Sequence, residues 1–358
     1  MPAIHHSRRS ALREDLRAGG LDAFLVTDLI NIRYLTGFTG SNAALLITAT
    51  GEEGSVLCTD GRYVTQAGAQ VPDLELLIDR PCDVALIRRA TGRVGFEENT
   101  VTVAGYRLLG AAATGELVGQ ADLVERHRLV KDAGEIEDLR RACAVADAAF
   151  AELIEEGSIR AGRTEREIGL ELDGRMRRLG AEDPAFETIV AAGANSAIPH
   201  HRPTSAELRV GDLVKFDFGA RVDGYHSDMT RTVVLGEPAD WQNEIYQLVA
   251  AAQRVGREAT VPGAICSAVD AAARAVIADA GYGQNYLHGL GHGIGLQIHE
   301  GPSVGAAGTA MMAADMVVTV EPGVYLPGRG GVRIEDSGVV RPDGYELLTL
   351  TTKDLLVL

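Results

Sequence analysis

The stretch KFDFGARVDGYHSDMTRT, from Lys215 to Thr232, limits the fold more than any other part of the chain. Its Asp223-Gly224 pair is the strongest short-range signal for a hairpin turn. The flanks read as strands, so they should pair antiparallel across that turn. With Asp223 and Gly224 in the turn, Gly219 opposes Asp228 and Asp217 lies diagonal to it, on the same face. A shifted pairing that sets Asp217 opposite Asp228 keeps both on one face, and a bulge would break that parity. Asp is a poor strand former. Two adjacent carboxylates repel unless one is protonated or a cation bridges them. Taken alone, the pair fits a solvent-facing strand with scattered acids as well as it fits a cation site.

Three other segments shift the balance. TVEPGVY places Glu321 in a strand flanked by valines, and GVRIEDSG places Glu335 in the next strand, again among apolar residues. One charged residue in a mostly buried strand is costly unless paired or bound to metal. Asp336, beside Glu335, should point to the opposite face, as a hydrogen-bonding or surface acid. HGLGHGIGLQIHE carries His288, His292 and His299. Its glycines forbid a stable helix, so the first two are not a helical ligand pair. The segment matches neither H-E-x-x-H nor G-x-G-x-x-G. The glycines instead allow close backbone approach around a packed polar site. With four strand-borne acids, these histidines look like a site. His201 and His226 read as structural or surface residues.

The formal net charge of −16 argues against a general nucleic-acid or anionic-membrane binder. Cys58, Cys82, Cys143 and Cys266 form no C-x-x-C pair, so they read as buried reduced thiols. MPAIHHSRRSALRED has no apolar stretch of a secretory signal, and no apolar run approaches a membrane span. The expectation is a soluble cytoplasmic protein.

A length of 358 residues suggests two domains. In the first third, SALREDLRAGG reads as an amphipathic helix closed by glycines. AFLVT, AALLITAT, EGSVLCT and RVGFEEN read as strands, an alternation that favours an α/β domain. The boundary falls near residues 125–132. Beyond it, Asp132 with Glu135 and Thr164 with Glu167 form helix-starting capping boxes. Leu139, Ala142, Ala146, Phe150 and Leu153 recur at helical spacing. Strands follow, then helices at about 240–257 and about 267–280, then strands again.

DFGARVDGYHSDMTRT, HGLGHGIGLQIHE, TVEPGVY and GVRIED together resemble the signature segments of the pita-bread metallopeptidases. That is the group of methionine aminopeptidase, aminopeptidase P and prolidase. NIRYLTGFTGSNAALLI and CTDGRYVTQA resemble the amino-terminal domain of the proline-specific branch. The likeness covers nearly the whole chain. It implies a creatinase-type α/β domain over residues 1–127 and an α+β pita-bread (creatinase/aminopeptidase-like) catalytic domain over 128–358. It also implies that Asp217, Asp228, His292, Glu321 and Glu335 hold two divalent metal ions. Asp217 would serve one ion, His292 with Glu321 the other, and Asp228 and Glu335 would bridge. Four carboxylates balance two divalent cations. An oxygen-rich set with one imidazole suits Mn²⁺ first, with Co²⁺ or Zn²⁺ as alternatives. Such a pair activates a hydroxide and polarises a scissile carbonyl. By the same resemblance, His200, His288 and His299 stand behind the ligands or touch substrate, and Arg333 orients ligands or substrate. Family members are commonly homodimers, so a homodimer is expected.

The implied activity is an exopeptidase acting on proline-containing peptides at the Xaa-Pro bond. Some prolidases carry an Arg after the Pro of H-E-x-P, well placed for a substrate carboxylate; here Ser303 follows Pro302. That difference favours an aminopeptidase P-like enzyme, with prolidase, the strict dipeptidase, as the alternative. A methionine aminopeptidase would usually lack the first-domain motifs. A non-hydrolytic relative typically lacks metal ligands, and all five are present.

Overall fold

The computed structural model describes residues 2–358. It divides into two units, the first ending at Arg128 and the second running from Leu129 to Leu358.

The first unit alternates helices and strands: α1 (Pro2–Ala18), β1 (Ala23–Val26), α2 (Leu29–Thr36), β2 (Ala43–Thr48), β3 (Val56–Thr59), α3 (Val64–Gln70), β4 (Glu75–Ile78), α4 (Cys82–Ile87), β5 (Arg93–Glu97), α5 (Val103–Ala112), β6 (Glu116–Gln120) and α6 (Glu125–Arg128). The strands form one mixed sheet in the order β4-β3-β2-β1-β5-β6. β1 and β3 are buried at every position, as continuous apolar runs in covered strands should be. Asp28 caps α2 by accepting from the Ile30 N–H at 2.7 Å. Helix α1 begins well before the expected SALREDLRAGG. Its added turns carry Arg9, fully buried, which donates to the Leu35 carbonyl (2.9 Å) and to Asp73 (2.6 Å). Apolar periodicity cannot reveal an anchor of that kind.

The second unit opens with α7 (Ala133–Glu155) and α8 (Glu165–Arg178), each started by the expected capping box. Leu139, Ala142, Ala146, Phe150 and Leu153 are all fully buried. Then come β7 (Asp183–Pro184), β8 (Ile189–Ala192), β9 (Leu213–Phe218), β10 (Ala220–Val222), β11 (Tyr225–His226) and β12 (Met229–Val234). Helices α9 (Asp240–Ala259) and α10 (Cys266–Asp279) follow. The chain closes with β13 (Gly291–Gly293), β14 (Glu300–Val304), β15 (Val317–Val320), β16 (Gly323–Leu326), β17 (Gly330–Arg333), β18 (Asp336–Arg341) and β19 (Gly344–Leu347). Their sheets run β12-β9-β8, β11-β10-β7, β14-β13-β15-β18-β19 and β16-β17.

The hairpin forms in the first of its two expected registers. Phe218 pairs with Met229 and Arg221 with His226, so Gly219 stands opposite Asp228. Asp223 and Gly224 both have positive φ, 46° and 76°, as a primed hairpin turn requires. The ladder passes from one sheet to the other at Gly219. A Cβ there would lie 1.8 Å from the Ser227 carbonyl oxygen, so only glycine permits the crossing. One expectation needs correction. Glu321 and Glu335 lie not within strands but in the breaks between β15 and β16 and between β17 and β18. Pro322 follows Glu321 and has no N–H to extend the ladder.

The four cysteines are unpaired and buried. Among the described residues, no helix is long and apolar enough to cross a membrane.

Candidate metal centre

Strand β9, LVKFDF, is buried throughout and has two chemically distinct faces. Phe216 and Phe218 pack on Phe150 of α7, each with ring centroids 5.2 Å away. Alternation sends Lys215 and Asp217 to the other face. The same parity puts Thr230 and Thr232 of β12, and Asp228 just before it, beside them and sends Arg231 to the back. There Arg231 donates to Asp336 at 2.8 Å. Asp336 is fully buried and also accepts from Gln253 at 2.7 Å. It is thus a hydrogen-bonding acid on the face away from Glu335, not a surface one.

Glu335 enters through the strand break. Its N–H donates to the Thr230 carbonyl (3.1 Å), and its Oε2 accepts from the Thr230 hydroxyl (2.7 Å). Its Oε1 is buried with no partner, a costly state for a carboxylate oxygen. His292 sits on β13, where the register shifts between His292 and Gly293. Its Nδ1 lies 3.1 Å from the Gly293 carbonyl. A carbonyl only accepts, so Nδ1 carries the proton and Nε2 keeps its lone pair for a ligand. That Nε2 is 3.6 Å from Asp228 Oδ2 and 3.5 Å from Glu321 Oε1. Asp228, His292 and Glu335 offer ligand atoms that all lie within 4.8 Å of one another. The glycines allow this approach: a Cβ on Gly293 would lie 1.9 Å from the Gly301 carbonyl oxygen.

Burial, together with Glu335, Asp217 and Glu321, pushes Asp228 well above the usual carboxylate range. Burial, Glu321 and Asp217 do the same to Glu335. Glu321 is pushed up to about 8, by burial first and by Asp217, with Arg333 opposing. Burial lowers His292 to about 4. Crowded acids that resist ionisation, an orphaned carboxylate oxygen and an imidazole with a free Nε2 are what a divalent cation would satisfy. The residues fit such an ion.

Arg333 is the positive charge beneath this cluster and is almost fully buried. Its Nη2 pairs with Asp217, its Nε donates to Thr230 (3.0 Å) and its Nη1 donates to the Tyr325 hydroxyl (2.8 Å). Tyr325 OH in turn lies 2.8 Å from His288 Nε2. His288 Nδ1 faces the Gly289 carbonyl at 2.8 Å, so Nε2 is the acceptor. His288 therefore stands behind Tyr325 and is absent from the lining of the cavity over the acids. Burial, with Arg333 nearby, holds it down to about 3.

That cavity has a volume of about 280 Å³, and all five expected ligands line it. His200 and His299 join them on its wall. The His299 ring stands edge-on to His292, with centroids 4.5 Å apart. His201 also reaches the cavity but is anchored from behind, with Nε2 2.8 Å from Glu165. It is buried, so the surface alternative does not hold. His226 faces the Gly295 carbonyl at 3.1 Å and serves the backbone.

Sequence reasoning missed four residues that support this site. Thr230 and Tyr325 are the hydrogen-bonding links just described. Lys215 donates to the Ile198 and Pro199 carbonyls, at 2.7 and 3.0 Å, and burial lowers it to about 6. Only its place two residues from Asp217 on the same face was a signal. Glu165 is fully buried and accepts from Ala192 N, Asn195, His201 and Thr204. In the sequence it looks like any acid in a first helical turn.

The family model for metallopeptidase family M24 matches residues 137–342, and that for the Creatinase/Prolidase N-terminal domain matches residues 8–130. An Xaa-Pro dipeptidase of Pyrococcus furiosus is 43% identical over 235 residues, which cover 66% of this chain and 67% of that one. The solved structure of an Xaa-Pro dipeptidase from Bacillus anthracis superposes with a TM-score of 0.93 at 37% identity, covering 99% of this chain and 100% of that one. An X-Pro aminopeptidase from Thermotoga maritima gives 0.88 at 36% identity, covering 98% and 99%.

Proposed function

The chain belongs to metallopeptidase family M24, and from that premise we propose that it hydrolyses the Xaa-Pro bond of dipeptides. The observation that carries the hydrolytic part is the buried, partnerless Oε1 of Glu335 within a cluster of four carboxylates and one imidazole. Asp217, Asp228, His292, Glu321 and Glu335 would hold two divalent ions, with Mn²⁺ favoured over Co²⁺ or Zn²⁺ by the oxygen-rich set. When bound, the ions would supply Lewis acidity toward the scissile carbonyl and lower the pKa of an attacking water.

The chain's own side chains do the rest. Arg333 fixes Asp217 and, through Tyr325, orients His288. Phe186, Ile189 and Ile298 give the cavity an apolar wall that suits a proline ring. His200 and His299 face the same space and can donate to the oxygen that gains charge as the carbonyl is attacked.

Ser303 favoured an aminopeptidase P-like enzyme. Similarity to Xaa-Pro dipeptidases, in sequence and across nearly the whole fold, supports the dipeptidase reading instead. The likeness to an X-Pro aminopeptidase keeps the aminopeptidase as the second reading. The test is hydrolysis of an Xaa-Pro dipeptide and an Xaa-Pro-Yaa tripeptide by the Mn²⁺-loaded protein. Cleavage of the dipeptide alone is expected. Preference for the tripeptide would establish the aminopeptidase, and cleavage of neither would sink both.

A further inference from the structure

We propose that Arg202 reads the free α-carboxylate of an Xaa-Pro dipeptide, and that Glu187 holds its side chain at the cavity rim until substrate displaces it. The inference rests on the dipeptidase reading above. Such a substrate carries a full negative charge one residue beyond the bond to be cut. It must enter a cavity with Asp217, Asp228, Glu321 and Glu335 in its walls. A cation on the leaving-group side is therefore needed to bind it and to tell it from a longer peptide, whose corresponding carbonyl is neutral.

Among the described residues lining the cavity, Arg202 is the one arginine or lysine. The two nearby buried cations are already committed. Arg333 is held by Asp217, Thr230 and Tyr325, and Lys215 by the Ile198 and Pro199 carbonyls. Ser303 brings no positive charge. A guanidinium also has the planar fork that a carboxylate fits in two-point fashion.

The surroundings of Arg202 give it a fixed base and a movable head. His201 on one side is held by Glu165 at 2.8 Å. Thr204 on the other gives the same carboxylate its N–H (2.9 Å) and hydroxyl (2.7 Å). Pro203 restricts the Arg202 backbone to extended conformations. The side chain itself is 83% exposed and meets Glu187, 62% exposed, at 3.0 Å. An ion pair that open to water is weak, so exchanging one carboxylate for another costs little. Phe186 and Ile189 flank Glu187 in the chain and line the same cavity, which puts apolar surface for a proline ring beside the charge that would take its carboxylate.

The experiment compares Met-Pro with Met-Pro-amide, which differ only in that charge, on Mn²⁺-loaded wild type, Arg202→Gln, Arg202→Lys and Glu187→Gln. Arg202→Gln should raise KM for the dipeptide about 10- to 100-fold, while kcat/KM for the amide stays within about threefold. Arg202→Lys should restore part of the loss, and Glu187→Gln should lower KM for the dipeptide. Equal losses on both substrates, or no change on either, would overturn the assignment. If wild type cleaves neither peptide, the dipeptidase reading falls and this inference with it. If wild type cleaves Met-Pro, with or without the amide, and Arg202→Gln leaves the KM for Met-Pro within about threefold, only the Arg202 assignment falls.

Discussion

Replacing Asp228 with Asn should change stability in opposite directions with and without metal. Asp228 and Glu335 offer oxygens within 4.8 Å of one another. Two full charges at that distance repel by about 3.5 kcal/mol at an effective dielectric of 20. The metal-free protein relieves part of this by keeping a carboxyl protonated, so Asn should stabilise that form by roughly 2–3 kcal/mol. With Mn²⁺ present, loss of the proposed ligand acts the other way. A hundredfold weaker Kd removes about 2.7 kcal/mol of binding-linked stability. The assay is urea unfolding of wild type and Asp228→Asn, once with chelator and once with saturating Mn²⁺. The variant should have the higher midpoint in chelator and gain less from metal than wild type, and its turnover should fall by more than about 100-fold. A lower midpoint in chelator, or an equal gain from Mn²⁺, would refute the reasoning that repulsion in this cluster is what a cation relieves.

Two further predictions concern the scaffold. Phe150→Ala should cost about 3–5 kcal/mol in chemical denaturation, because it empties the space behind both Phe216 and Phe218 on β9; a loss under about 1.5 kcal/mol would show that the strand does not depend on that packing. Glu171 concerns pH. Burial alone would raise its pKa, but Arg175, Arg163 and Ser158 hold it down at about 2. A lowered carboxylate contributes stability above its unfolded pKa and loses it as pH falls through the folded one. Wild type should therefore lose about 1–2 kcal/mol between roughly pH 4.5 and 2 that Glu171→Gln does not lose, as followed by unfolding midpoints across that range.

The parts of the fold legible in the sequence were those set by local chemistry. Asp223-Gly224 fixed the hairpin and so the side on which Asp217 and Asp228 meet, and the two capping boxes marked the starts of α7 and α8. Glu321 and Glu335 were found as residues but misplaced in strands, because valine-rich flanks look continuous when the break depends on Pro322 and on Glu335 bonding to Thr230. Lys215, Tyr325 and Glu165 stayed hidden because their partners lie elsewhere in the sequence. The Tyr325 partner His288, for example, is 37 residues away. His288 itself looked like a site histidine, and only the tertiary fold puts it behind that tyrosine and out of the cavity lining.

The strand-break position of Glu335 bears on how the protein folds. Its hydrogen bond to Thr230 spans 105 residues of chain, and the Arg333–Asp217 pair spans 116. The Glu165 contacts, which anchor the cavity residue His201, close over only 27 to 39. Loop closure therefore favours early formation of the Glu165 contacts, while the candidate metal centre waits for the middle of the second unit, at Asp217 and Thr230, to meet its C-terminal strands. Metal should then bind only the finished structure. Added Mn²⁺ should slow unfolding while leaving the refolding rate nearly unchanged, so the ions act as a lock on the native state and not as a nucleus for reaching it.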